Sequence, residues 1–518
     1  MTATSFLLLA CTLLPPALML AVMPSWGATA VQQMWGRFRA LSLVALASTV
    51  LRLGLAIAGL PGAPGPELPG LVTTLTGAWV AVLVQLLGAV IAVFSSRYLQ
   101  GEPGQPRYVA ALGGVLAAVH LLLLADHWLV LIAAWAAVGL ALQHLLCFYT
   151  DRPFALLAAH KKRVADCLAD VLLVAAAALA WNEVGSGSLP ALWRHLEASG
   201  SSVALQACAV CLALAVVMRT ALLPVHGWLI QVMEAPTPVS ALLHAGVINL
   251  GGFVLIRFAP LLEAAPVARW LLLGVGLATA LLAGLVMLTR VSIKVRLAWS
   301  TVAQMGFMVM ECGLGLYTLA LLHLIGHSLY KAHVFLSASS IVEATRLRTM
   351  QGTVAPSAVS LVVAPVITAG LTGSLVALLA MAVPLVSAAA WPWWWSGVLA
   401  MAWAPLLWLP SKRHPDAPGA VQDVLSGAGM VAALVLAAWV GHALPLGARD
   451  APDAATGPVA LAGMATLYLC LALLRARPQA LGRWRRWTYA GFYADEHATR
   501  AALRLWPARW TPAAPRST

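Results

Sequence analysis

The chain has 518 residues, of which only 9% are Asp, Glu, Lys or Arg and 61% are hydrophobic, whereas soluble domains carry about 25% charged residues. So few charges cannot cover a water-facing surface but suit a bilayer, which excludes a water-soluble globule, and the mean hydropathy of +0.88 agrees. The formal net charge of +13, from 31 basic and 18 acidic residues, suits nucleic acid in a soluble protein and cytoplasmic loops in a membrane protein, so the positions of the charges decide.

At ~20 residues per span, the apolar segments divide into roughly fifteen transmembrane helices. They are predicted near 4–23, 41–60, 72–95, 109–124, 128–149, 164–181, 203–223, 240–259, 270–289, 296–312, 315–342, 358–384, 393–410, 421–444 and 457–474. Alternating strands of the outer-membrane barrel type are absent, so the predicted class is an all-α polytopic membrane protein. The first stretch lacks the basic region of a cleaved signal and is read as helix one. Leu8-Leu9-Ala10-Cys11, which looks like a lipoprotein cleavage box, lacks that region too and is read as chance. Loops after odd-numbered helices carry Arg37, Arg39, Arg97, Arg107, Arg152, Lys161, Lys162, Arg163, Arg290, Arg346, Arg348, Lys412 and Arg413. Loops after even-numbered helices hold Glu67, Asp126, Glu183, Glu197, Glu263, Asp450 and Asp453 against only Arg194, Arg269 and Arg449. The positive-inside rule then predicts an external N-terminus and a cytoplasmic tail from Arg475 onward, and nucleic acid drops away as a partner.

The seven cysteines are scattered through apolar segments. Cys208 and Cys211 form a CxxC inside a membrane helix with no second ligand pair, so they are read as packing thiols. No Walker A motif, Gly-rich nucleotide loop or HExxH appears, and no cofactor or metal is predicted in this chain.

An ionisable group in a membrane helix costs ~2.5–3.5 kcal/mol on insertion scales, so intramembrane charges carry the functional signal. Four clusters stand out. In the first, Pro224 removes a backbone donor and should break helix seven just after Arg219; the alternative for Arg219 is snorkelling to the cytoplasmic interface. The second runs from Glu234 through Pro236-Thr237-Pro238 to His244. Here Pro-x-Pro makes a rigid helix start, with Ser240 or Thr237 as the cap and His244 one turn inside; His244 otherwise simply bonds a neighbouring helix. The third places His323, His327 and Lys331 at i, i+4 and i+8, along one face over ~12 Å. Imidazoles and a desolvated amine so aligned can pass protons through intervening waters. The fourth is Lys294-Val295-Arg296, where Arg296 suits a positive-inside residue and Lys294 suits the start of a proton chain. Asp166 and Asp170, one turn apart in helix six, supply the rare acids, and Asp166 can equally pair with the Lys162–Arg163 run. The polar residues thus fall in two neighbourhoods, the second including helix twelve with Pro365, Gly370 and Gly373 as interruptions. Paired broken helices are a sign of inverted repeats around a midplane ion path.

The run Leu223-Pro224-x-His226-x-Trp228-Leu229, the run Pro236-Thr-Pro-Val-Ser-Ala-Leu-Leu-His244, Lys294 through Gly306, and His323-x-x-x-His327-x-x-x-Lys331-Ala332 resemble, in this order, the antiporter-like proton-pumping subunits of respiratory complex I and the Mrp antiporters. Leu124-Ala125-Asp126 and Trp135-x-x-Val138-Gly139-Leu140 extend the resemblance to roughly residues 70–345. It implies fourteen to sixteen helices, two inverted five-helix repeats containing broken helices, and proton transfer along a central polar axis. The chain ends soon after helix fifteen, leaving no room for the lateral helix of the distal complex I subunit. Its tail, from Tyr489 to Arg509, resembles that of the membrane subunits of DAB inorganic-carbon accumulation systems. That likeness implies a bacterial inner-membrane protein and a cytoplasmic DabA-type, zinc-containing, carbonic-anhydrase-like partner that handles CO2 or bicarbonate. The alternative is a proton-pumping subunit of a respiratory NADH-quinone oxidoreductase or Mrp-type complex. In this reading the chain divides into N-terminal helices 1–107, repeats 108–262 and 263–412, C-terminal helices 413–474 and a basic, aromatic tail 475–518. Trp484, Trp487 and Trp506 of the tail suit either the partner or anionic lipid.

Departures from the family pattern also matter. Ala136 stands where the family has a glutamate and Arg219 where it has a lysine, no lysine occurs between Ala355 and Pro384, and His333 is extra. Losing the glutamate removes the usual partner of the helix-seven cation, and arginine does not release a proton as lysine can. The first half is therefore expected to hold fixed or gating groups, namely Arg219, Asp166, Asp170, Pro224 and Glu234. The proton relay is expected from Lys294, His323, His327 and Lys331, with His244.

Overall fold

A computed structural model describes residues 3–23, 31–59, 68–337, 355–382, 391–411, 419–477 and 482–507. Among them the chain is helical, with only isolated bridges in extended conformation. The helices are α1 (Ala3–Leu20), α2 (Val31–Ile57), α3 (Leu75–Tyr98), α4 (Gln105–Leu124), α5 (Trp128–Leu146), α6 (Pro153–Val184), α7 (Leu189–Ser199), α8 (Val203–Arg219), α9 (Gly227–Gln231), α10 (Thr237–Ala245), α11 (Leu250–Arg257) and α12 (Ala259–Glu263). They continue as α13 (Pro266–Thr289), α14 (Ile293–Leu314), α15 (Tyr317–Leu336), α16 (Ala358–Ala382), α17 (Trp393–Trp403), α18 (Ala420–Ala443), α19 (Gly457–Ala476), α20 (Gly482–Tyr489) and α21 (Ala494–Leu505). Every predicted span coincides with a helix or a run of helical pieces. Among the described residues eleven stretches are long and apolar enough to cross a membrane, and Leu7–Leu20 and Val203–Arg219 are shorter apolar helices. The chain is an all-α, multi-pass membrane protein.

Two compact units make up the chain. The first comprises Met1–Ala268, Leu324–Ser337 and Ala494–Thr518, and the second Arg269–His323 and Ala338–Tyr493. In the first unit α4 packs on α1, α3 and α5, and nearly all of its side chains are buried. It has no polar face to show, as expected for a helix apolar all round. In the second unit Leu273, Met310, Leu314, Trp391, Trp394 and Trp395 form the core. There α13 and α14 approach so closely that a Cβ on Gly306 would lie 2.7 Å from the Gly276 carbonyl, the small-residue contact by which membrane helices associate without a hydrophobic drive.

Local chemistry sets several boundaries. The Thr74 and Ser202 side chains accept from the Gly77 and Leu205 amides and start α3 and α8. Gly185, at φ 70°, ends α6 in the left-handed conformation that a side chain disfavours.

Four expectations are corrected. Helix six starts at Pro153 rather than 164, because proline suits a first helical turn, so Lys161, Lys162 and Arg163 are helical residues and not loop charges. Helix twelve, α16, runs unbroken through Pro365, Gly370 and Gly373. Pro365 cannot donate to the Leu361 carbonyl, but the Tyr468 hydroxyl does, at 2.7 Å. The predicted helix 240–259 is interrupted: α10 ends at Ala245, a 3-10 turn covers Val247–Asn249, and α11 follows. Neither Thr237 nor Ser240 caps α10, since Pro236 takes the capping position and the Thr237 hydroxyl donates to Tyr98 Oη at 3.3 Å. Glu67, Arg346, Arg348, Pro384, Lys412, Arg413 and Arg509 lie outside the described residues.

Candidate functional site

In the first unit α6 carries a row of charges. Lys162, Asp166 and Asp170 recur every four residues and so lie on one face, over ~12 Å. Lys162 pairs with the Asp166 carboxylate, and its ammonium lies 5.5 Å from the Trp228 ring centroid. Asp170 pairs with Arg219 at the end of α8. Arg219 Nη1 also donates to the Trp135 carbonyl at 2.8 Å, and its guanidinium stands 4.9 Å from the Trp135 ring centroid. Lys161 pairs with Asp495 of α21. The Lys161, Lys162 and Arg219 side chains are 6%, 5% and 4% exposed, so three cations are buried, and each has a carboxylate. Burial without such a partner costs several kcal/mol per ion.

Arg219 is buried against Asp170 and Trp135 instead of extended to solvent, and Asp166 pairs with Lys162 while Asp170 pairs with Arg219. Asp170 supplies Arg219 with a carboxylate from α6, and the Trp135 carbonyl, next to Ala136, supplies a further acceptor. Pro224 lies in the turn that follows α8. There Ala221 takes φ 50°, the Leu223–Pro224 peptide is cis, and His226 Nδ1 donates to the Pro224 carbonyl at 3.2 Å. The chain therefore does break after Arg219. Glu234 ends a 3-10 turn, and its carbonyl accepts from Arg152 at 2.7 Å.

Also in the first unit, the C-terminal part of α15 faces the α10–α11 interruption. Asn249 Nδ2 donates to the Ala245 carbonyl at 2.9 Å and to Ser328 Oγ at 2.8 Å, so a side chain bridges the break alongside the 3-10 backbone bonds that cross it. His244 is fully buried and stacks on Phe335, with ring centroids 4.6 Å apart. Lys331, one turn before Phe335, is 1% exposed and close enough to act electrostatically on His244. His327 is buried, whereas His333 is exposed. A small cavity lies at the break, lined by Gly246, Asn249, Phe253, Leu324 and Ser328.

In the second unit His323, on the N-terminal part of α15, shares a 2.8 Å hydrogen bond from Nδ1 to Glu311 Oε2 of α14. Lys294 lies exposed in the first turn of α14. Arg290, just before it, stands 5.4 Å from the ring centroids of both Trp299 and Tyr489. Glu311 is 3% exposed and is absent from the residues expected from sequence. The signal that finds it is the one already applied to the cations, a carboxylate inside an apolar span. Lys161 and Asp495 are hidden differently: from its basic neighbours Lys161 reads as a loop residue, and Asp495 belongs to the tail. All seven cysteines are free thiols.

The family model described as "NADH:quinone oxidoreductase/Mrp antiporter, TM" matches residues 125–407. The "probable inorganic carbon transporter subunit DabB" of Hydrogenovibrio crunogenus is 39% identical over 84% of this chain and 85% of its own length. DabB2 of Halothiobacillus neapolitanus is 46% identical over 51% of this chain and 48% of its own length. The NADH-quinone oxidoreductase subunit L of Mycobacterium tuberculosis is 33% identical over 51% of this chain and 42% of its own length. Among solved structures, the Mrp complex of Dietzia superposes with TM-score 0.57 and 23% identity, over 96% of this chain and 52% of that one. The archaeal membrane-bound sulfane sulfur reductase superposes with TM-score 0.59 and 15% identity, over 97% of this chain and all of that one. These structural matches establish the shared fold. The chain belongs to the NADH:quinone oxidoreductase/Mrp antiporter transmembrane family and, within it, to the group that contains the DabB subunits.

Proposed function

We propose that this chain is the proton-conducting membrane subunit of an energy-coupled inorganic carbon uptake complex. Protons move inward down their gradient and drive a DabA-type cytoplasmic zinc protein that captures CO2 or bicarbonate. The observation that carries the reading is the burial of Lys331 among His327, His244 and the Asn249-held helix break, in a chain related to DabB over 84% of its length. A buried amine beside imidazoles and a backbone interruption is a place for a proton to pause in transit. Lys294, His323, His327, Lys331 and His244 form the relay. Arg219, Asp166, Asp170, Pro224 and Glu234 form the fixed or gating half, in which arginine holds charge without releasing it. The chain lies in a bacterial inner membrane with its N-terminus outside and its tail cytoplasmic, divided as 1–107, 108–262, 263–412, 413–474 and 475–518. It holds no cofactor, and the zinc belongs to the partner.

The test is growth of a carbonic-anhydrase-deficient bacterium in ambient air. Rescue is expected when the chain is expressed with a DabA-type partner and not when either is expressed alone. Purification in gentle detergent checks the partner independently. One large zinc protein is expected, whereas a set of small membrane subunits or quinone-reductase components would replace this reading by a respiratory or Mrp-type complex.

A further inference from the structure

The tail does more than extend from the last span. Helix α21 packs on α6 and α9 in the first unit. Its first turn sends Asp495 to Lys161, while Gln231 Nε2 donates to the other carboxylate oxygen at 3.3 Å and Thr499 Oγ1 lies 3.5 Å from the first. At the far end His160 Nε2 donates to the Trp506 carbonyl at 2.9 Å. The seat for this carboxylate is Gly227, where any Cβ would overlap Asp495 and lie 2.6 Å from Lys161 Nζ. Lys161 directly precedes Lys162, the first residue of the α6 row, and lies on the adjoining face of the helix. Burying an ammonium is costly without a partner charge, and among the described residues the carboxylate paired with Lys161 comes from a segment more than 330 residues away.

We propose that Asp495 is the counter-ion of Lys161, beside the end of the α6 charge row, and that residues 494–506 are a strap which closes that end of α6 to water. Docked, the strap neutralises Lys161 and covers it. Lifted, it leaves Lys161 to water and opens that end of α6. Glu496, exposed beside Asp495, adds negative charge near Lys161, so neutralising Asp495 alone leaves some attraction and charge reversal is the sharper perturbation. The consequence for proton movement rests on the proposed function, but the strap itself does not.

The experiment uses the full chain in membranes, with a cysteine at Ala165, a buried position one turn beyond Lys161. Labelling of that cysteine by a charged, water-soluble thiol reagent is read by peptide mass spectrometry, together with hydrogen exchange of residues 494–506. With the strap intact, labelling and exchange are slow. Gly227→Ala and Asp495→Lys each raise both by about tenfold or more, as loss of a docked segment does. The swap Lys161→Asp with Asp495→Lys returns both to within about threefold of the parent. Unchanged exchange of α4 shows that the bundle remains folded, and Asp495→Lys, lying on the tail, tests the strap even if Gly227→Ala disturbs α9. Rates in Asp495→Lys equal to the parent, or a swap no slower than Asp495→Lys alone, would overturn the strap. These readouts need no proton flux, so a chain that moves no protons would refute the proposed function and leave the strap standing.

Discussion

Substituting Asp170→Asn isolates the most consequential ion pair of the first half. Arg219 is 4% exposed at its side chain and Asp170 31%. Removing one partner of a buried pair costs about 3–5 kcal/mol, and the partial exposure of Asp170 places this case at the lower end. Arg219 keeps its bond to the Trp135 carbonyl and its position over the Trp135 ring, which soften the loss to about 2 kcal/mol. That corresponds to a fall of about thirtyfold in the folded-to-unfolded ratio. The assay is a double-mutant cycle of Asp170→Asn, Arg219→Met and the pair, with unfolding followed in mixed micelles of increasing SDS fraction. The pair is expected to be less destabilised than the sum of the singles by about 2 kcal/mol. A coupling below about 0.5 kcal/mol would refute the view that Asp170 is the working counter-ion of Arg219.

Two further predictions concern the other half. Lys331→Ala should abolish proton-driven carbon uptake in the rescue strain while leaving assembly with the partner intact by size-exclusion chromatography; full uptake would remove Lys331 from the relay. Glu311→Gln should lower uptake by about tenfold, because His323 loses its carboxyl hydrogen-bond partner, a contact on the order of 1 kcal/mol or more, while expression in the membrane stays at parental level. Uptake by Glu311→Gln equal to the parent would make the Glu311–His323 contact structural only.

The spans were legible in the residues because a bilayer imposes one coarse rule, about twenty apolar residues per crossing, and every predicted segment has a helical counterpart. Proline was the less transparent signal. Pro224 does mark the end of a helix, but Pro365 does not, and there the Tyr468 hydroxyl, 107 residues away in sequence, supplies the Leu361 carbonyl with a donor. Charge also read differently by location. Lys161 and Lys162 look like a cytoplasmic loop when only their neighbours are considered, because a basic run is what the positive-inside rule expects there.

The sequence by itself determined that this is a helical, multi-pass chain, that its few intramembrane charges matter, and which motifs it shares with antiporter-like subunits. All of these are properties of composition and short spacings. The tertiary structure decided which partner each carboxylate serves: Asp166 for Lys162, Asp170 for Arg219, Glu311 for His323 and Asp495 for Lys161. Helical spacing can place Lys162 beside Asp166, but it cannot connect α6 to the end of α8 or to the tail. Ion pairing falls off within a few ångströms in water, and inside a bilayer it is enforced by burial. Those partners therefore become definite only once the helices are packed.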